Sequence, residues 1–412
     1  MNILFLSYYF PPCGGAPVQR WLRFIPLLVE RGHKITVITS KDGDYPFIDH
    51  SLCDKIPSEV EVHRISAPAW EKSWKRFTGN RTPLPHGSLP KDSKGLQKLL
   101  IWLRLNLIIP DLRIFWSRKL SREALKILKS KPIDLIISTG PPHSTHLPAM
   151  RLAKKHGLPW LSDFRDPWTK IHYLLFNPPG MLSRKIHSAL EREVLASADI
   201  TTVISSDIAE ALPEGNKIVV QNGFDPHDFE GFVHEKSDVF RIKYIGQFTQ
   251  GQSLELLNSF LRGIERKAEV SFIGSSLSEE KKAQISAGLT YQPRYVEFLS
   301  HKEALKEMVS SDLLILIINR YEGNQGMLTT KLFEYLASRS PILVFAPPDN
   351  IAARIVRETD SGRSFDYHEI DEAIAWVESI AESTRNEGNI QDYSVEKQID
   401  ILDKAIQSLK KV

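Results

Sequence analysis

Short apolar runs rich in Ile, Val and Leu alternate with helix-periodic segments along most of the chain, and this rhythm limits the fold more than any single motif does. Ile3 to Tyr9 reads as a first strand, followed by a loop through Pro11-Pro12-Cys13-Gly14-Gly15. The next segment sets Val18, Trp21, Leu22, Ile25, Leu28 and Val29 on one face at helical spacing and stops before Gly32, after which Lys34 to Thr39 returns as a strand. Strand, helix, strand in this order is the pattern of a parallel sheet covered by helices on both faces, so the expected class is α/β.

The same reading carries on through Val60–Ile65, Asp134–Ser138, Trp160–Asp163, Ile200–Ile204 and Ile218–Gln221, with helices near 117–130, 144–156 and 181–197. A second series begins at Ile242–Gly246 and continues through Val270–Ile273, Val296–Leu299, Leu313–Ile318, Pro341–Phe345 and Gly362–Phe365. Between the two, Asp225 to Ser237 is polar and has no apolar period, as a linker would. At 412 residues the chain is also longer than one hydrophobic core usually organises. The expected division is therefore 1–224, a linker at 225–238, a second domain at 239–394 and a final helix at 395–412.

Composition narrows the class further. No apolar run reaches the roughly 18 residues of a membrane span, and Met1-Asn2-Ile3-Leu4 enters a strand with no basic segment or cleavage site before it, so a cytoplasmic protein is expected. Cys13 and Cys53 have no metal or redox spacing. Net charge is +3, but Lys72 to Lys131 holds 15 Lys and Arg against three acids, which implies an anionic partner for that region. No nucleic-acid-binding module is recognisable, so nucleic acid is not the expected partner.

The segment from Asn324 to Ala337 lies between two strand-like runs, so its Gly-containing loop opens directly into a crossover helix. The first turn of such a helix has unpaired N–H groups and partial positive charge, which suits a phosphate approaching over Gly326. One turn further in, Glu334 sits among Leu332, Phe333 and Leu336, where a carboxylate faces either a ligand hydroxyl or solvent. Gly14 and Gly15 follow the first strand, where a missing Cβ lets backbone approach a phosphate or sugar.

Several signatures in order carry a resemblance: Tyr8-Tyr9-Phe10-Pro11-Pro12 with Gly14-Gly15, Ser138-Thr139-Gly140-Pro141-Pro142-His143-Ser144, Asp163-Phe164-Arg165-Asp166-Pro167-Trp168, Asn222-Gly223-Phe224-Asp225, Lys331-Leu332-Phe333-Glu334-Tyr335-Leu336-Ala337 and Tyr393-Ser394. Together they resemble the GT-B fold glycosyltransferases, most closely the retaining enzymes of family four. The resemblance implies two Rossmann-like domains facing a cleft. It makes 1–224 the acceptor domain and 239–394 the domain that holds a nucleotide-sugar, UDP- or GDP-linked, and it returns the helix at 395–412 to the first domain. Ligands of open α/β sheets bind beyond the carboxyl ends of the strands, which agrees with that plan.

The resemblance also implies roles. Glu334 matches the second glutamate of the family's paired motif, which bonds the ribose hydroxyls; the first, eight residues earlier, is replaced here by Gly326. Donor contacts are expected from Asn324, Gln325, Gly326, Met327, Leu328 and Thr329, with Lys331 as a charge partner, and from Gly14 and Gly15. Where the family often has an Arg and a Lys after Tyr244-Ile245-Gly246, this chain has Gln247 and Gln250-Gly251-Gln252, whose amides bond a pyrophosphate without neutralising it. His143 reads as a capping residue from its position and as a donor-sugar contact from the match. Asp163 and Asp166 are the candidate acceptor-side acids, one of which suffices as a structural turn residue. No metal and no cofactor are called for, and Asp42-Gly43-Asp44 reads as a plain turn.

The function this implies is retaining transfer of a sugar to a glycan or lipid-linked acceptor in surface-polysaccharide assembly. The alternatives are a non-catalytic nucleotide-sugar-binding scaffold and a nucleotide-sugar epimerase of the same fold. Within 70–119, Trp70-Glu71-Lys72-Ser73-Trp74-Lys75-Arg76-Phe77 and the stretch around Trp102 and Arg104 suit either the inner face of an anionic membrane or ordinary packed aromatics with solvated charges.

Overall fold

A computed structural model describes residues 1–45, 47–67, 96–171, 174, 177–249, 251–297, 299–320, 324–381 and 384–410, apart from the side chains at 96–98 and 100. The chain forms two compact units, Met1–Gln221 with Gln398–Val412, and Asn222–Lys397.

The first unit is a seven-stranded parallel sheet: β1 (Asn2–Leu6), β2 (Lys34–Ser40), β3 (Glu61–Ile65), β4 (Leu135–Gly140), β5 (Trp160–Phe164), β6 (Ile200–Val203) and β7 (Lys217–Val219). Their spatial order is β3-β2-β1-β4-β5-β6-β7, so the order reverses between β1 and β4. The helices are α1 (Ala16–Glu30), α2 (Leu96–Leu107), α3 (Ile114–Ser130), α4 (His146–His156), α5 (Met181–Ser197) and α6 (Ser206–Ala211). The apolar stripe of α1 is buried at Val18, Trp21, Leu22, Phe24, Ile25 and Leu28. From Gln398 on, the last helix (α13, Val395–Ser408) buries Ile399, Leu402 and Ile406. Its polar side bonds Arg31 to Asp400 at 2.6 Å and His33 to Asp403 at 2.8 Å.

One polar cluster ties this unit's centre together. The Asp163 carboxylate on β5 is fully buried and accepts from Arg20 Nε and Nη2 (3.2 and 3.0 Å), Trp21 Nε1 (2.7 Å), Thr139 Oγ1 (2.7 Å) and Thr202 Oγ1 (2.6 Å). Burial pushes its pKa up, but the Arg20 charge and the three neutral donors outweigh this and hold the carboxyl below its usual value. The equally buried Arg20 also donates to Gln221 O at 2.9 Å.

The second unit is a six-stranded parallel sheet of β8 (Phe240–Ile245), β9 (Ala268–Ile273), β10 (Arg294–Val296), β11 (Leu313–Ile317), β12 (Ile342–Phe345) and β13 (Gly362–Phe365), in the order β10-β9-β8-β11-β12-β13. Alternate residues of β11 feed two cores: Leu314 and Leu316 join one, Leu313, Ile315 and Ile317 the other. A strand buried on both faces explains why it reads as a continuous apolar run. The helices here are α7 (Leu254–Arg262), α8 (Glu279–Ser286), α9 (His301–Val309), α10 (Thr330–Ser338), α11 (Ile351–Glu358) and α12 (Ile370–Ser379).

Two local differences from the sequence reading have physical causes. β1 ends at Leu6: Ser7 N keeps one ladder bond to Ile38 O, and its hydroxyl then donates to Tyr9 O at 2.7 Å and turns the chain. The sequence reading holds no helix at α2, because Gln97, Lys98, Arg104 and Asn106 are dispersed around it and show no one-sided period. No helix among the described residues is long and apolar enough to cross a membrane.

Removing Asp163 takes from five buried donors the carboxylate on which they converge. Asp163→Ala is expected to lower stability by about 3–5 kcal/mol, read from the urea unfolding midpoint. A loss under about 1 kcal/mol, the scale of an exposed pair, would show that the cluster is not essential to this unit.

Candidate functional site

The strand order reverses once in each sheet. In the second unit that point lies between β8 and β11, and helix α10 is fixed to it from inside. The buried Tyr335 hydroxyl accepts from Ile245 N at 3.0 Å and donates to Ile245 O at 3.1 Å, pinning α10 to the end of β8. One turn earlier, Lys331 lies across the turn after β8: its Nζ is 3.1 Å from the Tyr244 hydroxyl and 4.5 Å from the centre of that ring. Gly246 has φ +112, a backbone conformation that favours glycine, and the Lys331 side chain lies close over it.

The turn after β8 is shaped by Gln252, not by Gln247. Gln252 Oε1 accepts from Thr249 N and lies 2.9 Å from the Tyr244 hydroxyl, while its Nε2 donates to Ile317 O at 2.6 Å and ties this turn to the end of β11. The Gln247 side chain is exposed and its carbonyl faces the Tyr244 hydroxyl at 3.0 Å. Gln250 lies outside the described residues.

The loop leading into α10 is held at its first residues. Buried Asn324 donates to Asn319 O (2.7 Å) and the Tyr367 hydroxyl (3.1 Å), and its own carbonyl accepts from Asn350 Nδ2 at 2.7 Å. Gln325 O accepts from Ile351 N at 2.9 Å. Asn324 and Gln325 therefore contribute by framing the loop. Met327 N donates back to Asn324 O at 3.0 Å, whereas the N–H groups of Gly326, Leu328 and Thr329 have no acceptor among the described residues. The Thr329 hydroxyl caps the helix by accepting from Lys331 N. Free donors at a helix N-terminus, with the helix dipole behind them, suit an anion. Glu334 is mostly buried, and His301 at the start of α9 lies 3.1 Å from its Oε1. No sequence signal pointed to His301, which reaches Glu334 from another helix.

In the first unit the reversal lies between β1 and β4. Gly15, with φ 88, precedes α1, and Gly14 donates to Phe47 O at 3.0 Å under the Phe47 ring, which a Cβ would strike. Arg165 joins the two loops: it donates to Gly140 O at 3.2 Å, Pro141 O at 2.6 Å and Pro17 O. Asp166 is exposed. Asp163 departs from the expectation of an acceptor-facing acid, because both its oxygens already accept from protein donors. Asp42 and Asp44 are likewise internal, accepting from Ala67 N at 2.8 Å and pairing with Arg113 at 3.0 Å.

His143 is buried, and neither of its ring nitrogens has a partner among the described residues. Its ring stacks on Trp168 at 5.0 Å and 7°, while His146 stacks on Phe164 at 4.6 Å and 3°. Glu191 fixes the segment carrying Trp168 by accepting from Trp168 N, Thr169 N and Thr169 Oγ1. Burial, and then the neighbouring His146, hold His143 neutral well below its usual pKa; burial likewise takes His146 down to about 3 and lowers His187. A neutral imidazole with free nitrogens can bond a sugar hydroxyl without repelling a cation.

Outside these residues, Asp225, His227 and Glu396 bring one ligand atom each within 4.8 Å of one another. This is a partly exposed group of the kind common without an ion. The aromatic–basic stretch Trp70 to Phe77 lies outside the described residues.

Residues 15–220 match the glycosyl transferase 4-like domain family. Among solved structures, a sucrose-phosphate synthase from Thermosynechococcus elongatus is similar at TM-score 0.66 and 14% identity, over 99% of this chain and 98% of that one. HepE of Anabaena in complex with UDP-glucose is similar at TM-score 0.61 and 13% identity, over 99% and 100%. The apo lipopolysaccharide outer core galactosyltransferase WaaB is similar at TM-score 0.59 and 14% identity, over 99% and 99%. No curated protein sequence matches the chain.

A histidine whose pKa is lower folded than unfolded makes the unfolded chain bind more protons between the two values, so stability is lost as pH falls through that window. For His143, His146 and His187 the window opens at the unfolded value of about 6.5. The loss of stability between pH 6.5 and 5.5 is expected to be about 1 kcal/mol smaller in His143→Phe than in wild type. Parallel profiles would mean that His143 is not held neutral.

Proposed function

The chain belongs to the glycosyl transferase 4-like family of GT-B fold glycosyltransferases, and on that premise we propose that it is a retaining enzyme moving a sugar from a UDP-linked donor to a glycan or lipid-linked acceptor. The observation that carries the reading is the second unit's strand reversal, where free N–H groups, Lys331 and Glu334 converge at one pinned helix. The donor's phosphates lie against Gly326 to Thr329 and Lys331, and Glu334, oriented by His301, takes the ribose hydroxyls. UDP is preferred to GDP because the similar HepE structure was obtained with UDP-glucose.

In the reaction, the acceptor hydroxyl attacks the anomeric carbon on the face from which the nucleotide leaves. The bond to the phosphate oxygen breaks, the bond to the acceptor oxygen forms, and the departing phosphate takes the acceptor's proton. Catalysis is then positioning and stabilisation of phosphate charge, with His143 bonding a donor-sugar hydroxyl, Asp166 on the acceptor side and no metal required. Lys331 bears most of the charge neutralisation, since Gln247 offers no cation at the turn after β8. The role we assign is surface-polysaccharide assembly at the cytoplasmic side of the membrane, a reading favoured by the likeness to the lipopolysaccharide enzyme WaaB. Gly326, standing where the family's first glutamate would be, favours a non-catalytic scaffold as the second reading.

Thermal shift with UDP, GDP, ADP, CMP, dTDP and their sugars tests the donor class, since a ligand of the native state raises the melting temperature. A shift selective for UDP is expected; a GDP-selective shift would reassign the donor, and binding without transfer to any acceptor would favour the scaffold. Glu334→Ala is expected to weaken UDP affinity about 10-fold or more, the scale of hydrogen bonds to a charged group. Unchanged affinity would remove Glu334 from the site. Lys331→Met is expected to lower kcat on the order of 100-fold with an unaltered melting temperature, and an unaffected kcat would place the phosphate charge elsewhere.

A further inference from the structure

Two buried titratable groups on α5 have no part in the transfer reading, and both end on one tryptophan. His187 and Glu191 stand one turn apart on the same face of α5, exposed by 4% and 2%. Trp168 Nε1 donates to His187 Nδ1 at 3.0 Å. The Glu191 carboxylate accepts from Trp168 N at 3.2 Å and Thr169 N at 3.1 Å through one oxygen, and from Thr169 Oγ1 at 2.6 Å through the other. An indole N–H only donates, so His187 Nδ1 accepts and the ring carries its hydrogen on Nε2. Burial lowers the His187 pKa and keeps the ring neutral. Glu191 has no ion pair among the described residues, and burial raises its pKa, so enclosing it is unfavourable unless its hydrogen bonds offset the desolvation.

Those hydrogen bonds lead to His143. With no partner for either of its nitrogens among the described residues, ring contacts alone set the plane of that imidazole. Trp168 lies parallel to it at 5.0 Å and 7°, while Phe164 and His146 are tilted from it by 33° and 35°. The imidazole nitrogens lie in the ring plane, so the indole fixes the directions in which they point. Trp168 takes its own orientation from α5 twice over, its backbone from Glu191 and its indole from His187.

We propose that Glu191 and His187 are positioning residues for His143, acting through Trp168, so that α5 sets the plane of the imidazole that contacts the donor sugar. The inference rests on the sugar contact assigned to His143 above. It adds two residues that neither touch the sugar nor belong to the motifs that carry the family resemblance. A hydrogen bond weakens steeply as its donor turns away from the acceptor, so a tilted ring loses the sugar contact while the fold persists.

NMR of the full chain labelled at histidine tests the contacts. A ring stacked on an indole is shielded, so the His143 resonance, identified by its absence from His143→Phe, is expected upfield in the wild type. It is expected to move toward the position of an exposed histidine in Glu191→Leu and in His187→Leu. Glu191→Gln is the conservative rescue: its amide oxygen accepts from the same two backbone N–H groups and its amide nitrogen donates to Thr169 Oγ1, which restores the wild-type resonance. Calorimetric titration reads the consequence. Affinity for UDP-glucose is expected to fall about tenfold in both leucine variants, the scale of one hydrogen bond, while affinity for UDP keeps its wild-type value. A His143 resonance unmoved in both leucine variants overturns the proposal, as does a moved resonance with full UDP-glucose affinity when His143→Phe has lost it. Should Glu191→Leu not fold, His187→Leu carries both measurements. If His143→Phe itself binds UDP-glucose as the wild type does, the sugar contact of His143 is what fails, and the resonance still decides whether α5 sets that ring.

Discussion

The buried carboxylate of Asp163 is the interaction on which the first unit depends. A single side chain on β5 receives donors from α1, β4 and β6, and through Arg20 it also reaches the carbonyl of Gln221 at the unit's edge. A buried ion pair gives little net stability compared with an apolar core of the same volume. Its contribution is geometric: five donors converging on two oxygens define how far each element stands from the next. Arg165, two residues on, uses the position so defined to join the loops after β1 and β4.

The second unit reaches the same end with a hydroxyl. Tyr335 both donates to and accepts from Ile245, so α10 is set against β8 by a pair of hydrogen bonds inside an apolar core. The core supplies the adhesion and the tyrosine the register. Lys331 and Glu334 inherit their positions from that register, and the Tyr244 ring beneath Lys331 keeps its ammonium group over the Gly246 turn.

Much of this was legible in the sequence, because strand runs, helical periods and the Gly-containing loop before α10 are local signals. The alternation of elements gave two parallel sheets, and the resemblance carried by the motifs led to the family to which the chain belongs. What could not be read was pairing across long separations. His301 meets Glu334 from another helix, and Asp163 reads as an acceptor-side acid because the four residues that enclose it lie as many as 143 positions away in sequence. Helix α2 escapes the sequence for a different reason: its polar residues are dispersed around it, so no face stands out.

The loop before α10 is fastened at both ends and loose between them. Asn324 and Asn350 clamp its start, Tyr335 anchors the helix that follows, and the stretch from Gly326 to Thr329 carries no long-range hydrogen bond among the described residues. Stability and selectivity are thereby kept on separate residues. A side-chain exchange between Gly326 and Thr329 breaks no hydrogen bond of this frame, so the loop proposed to meet the donor is free to change its surface without cost to the fold that presents it.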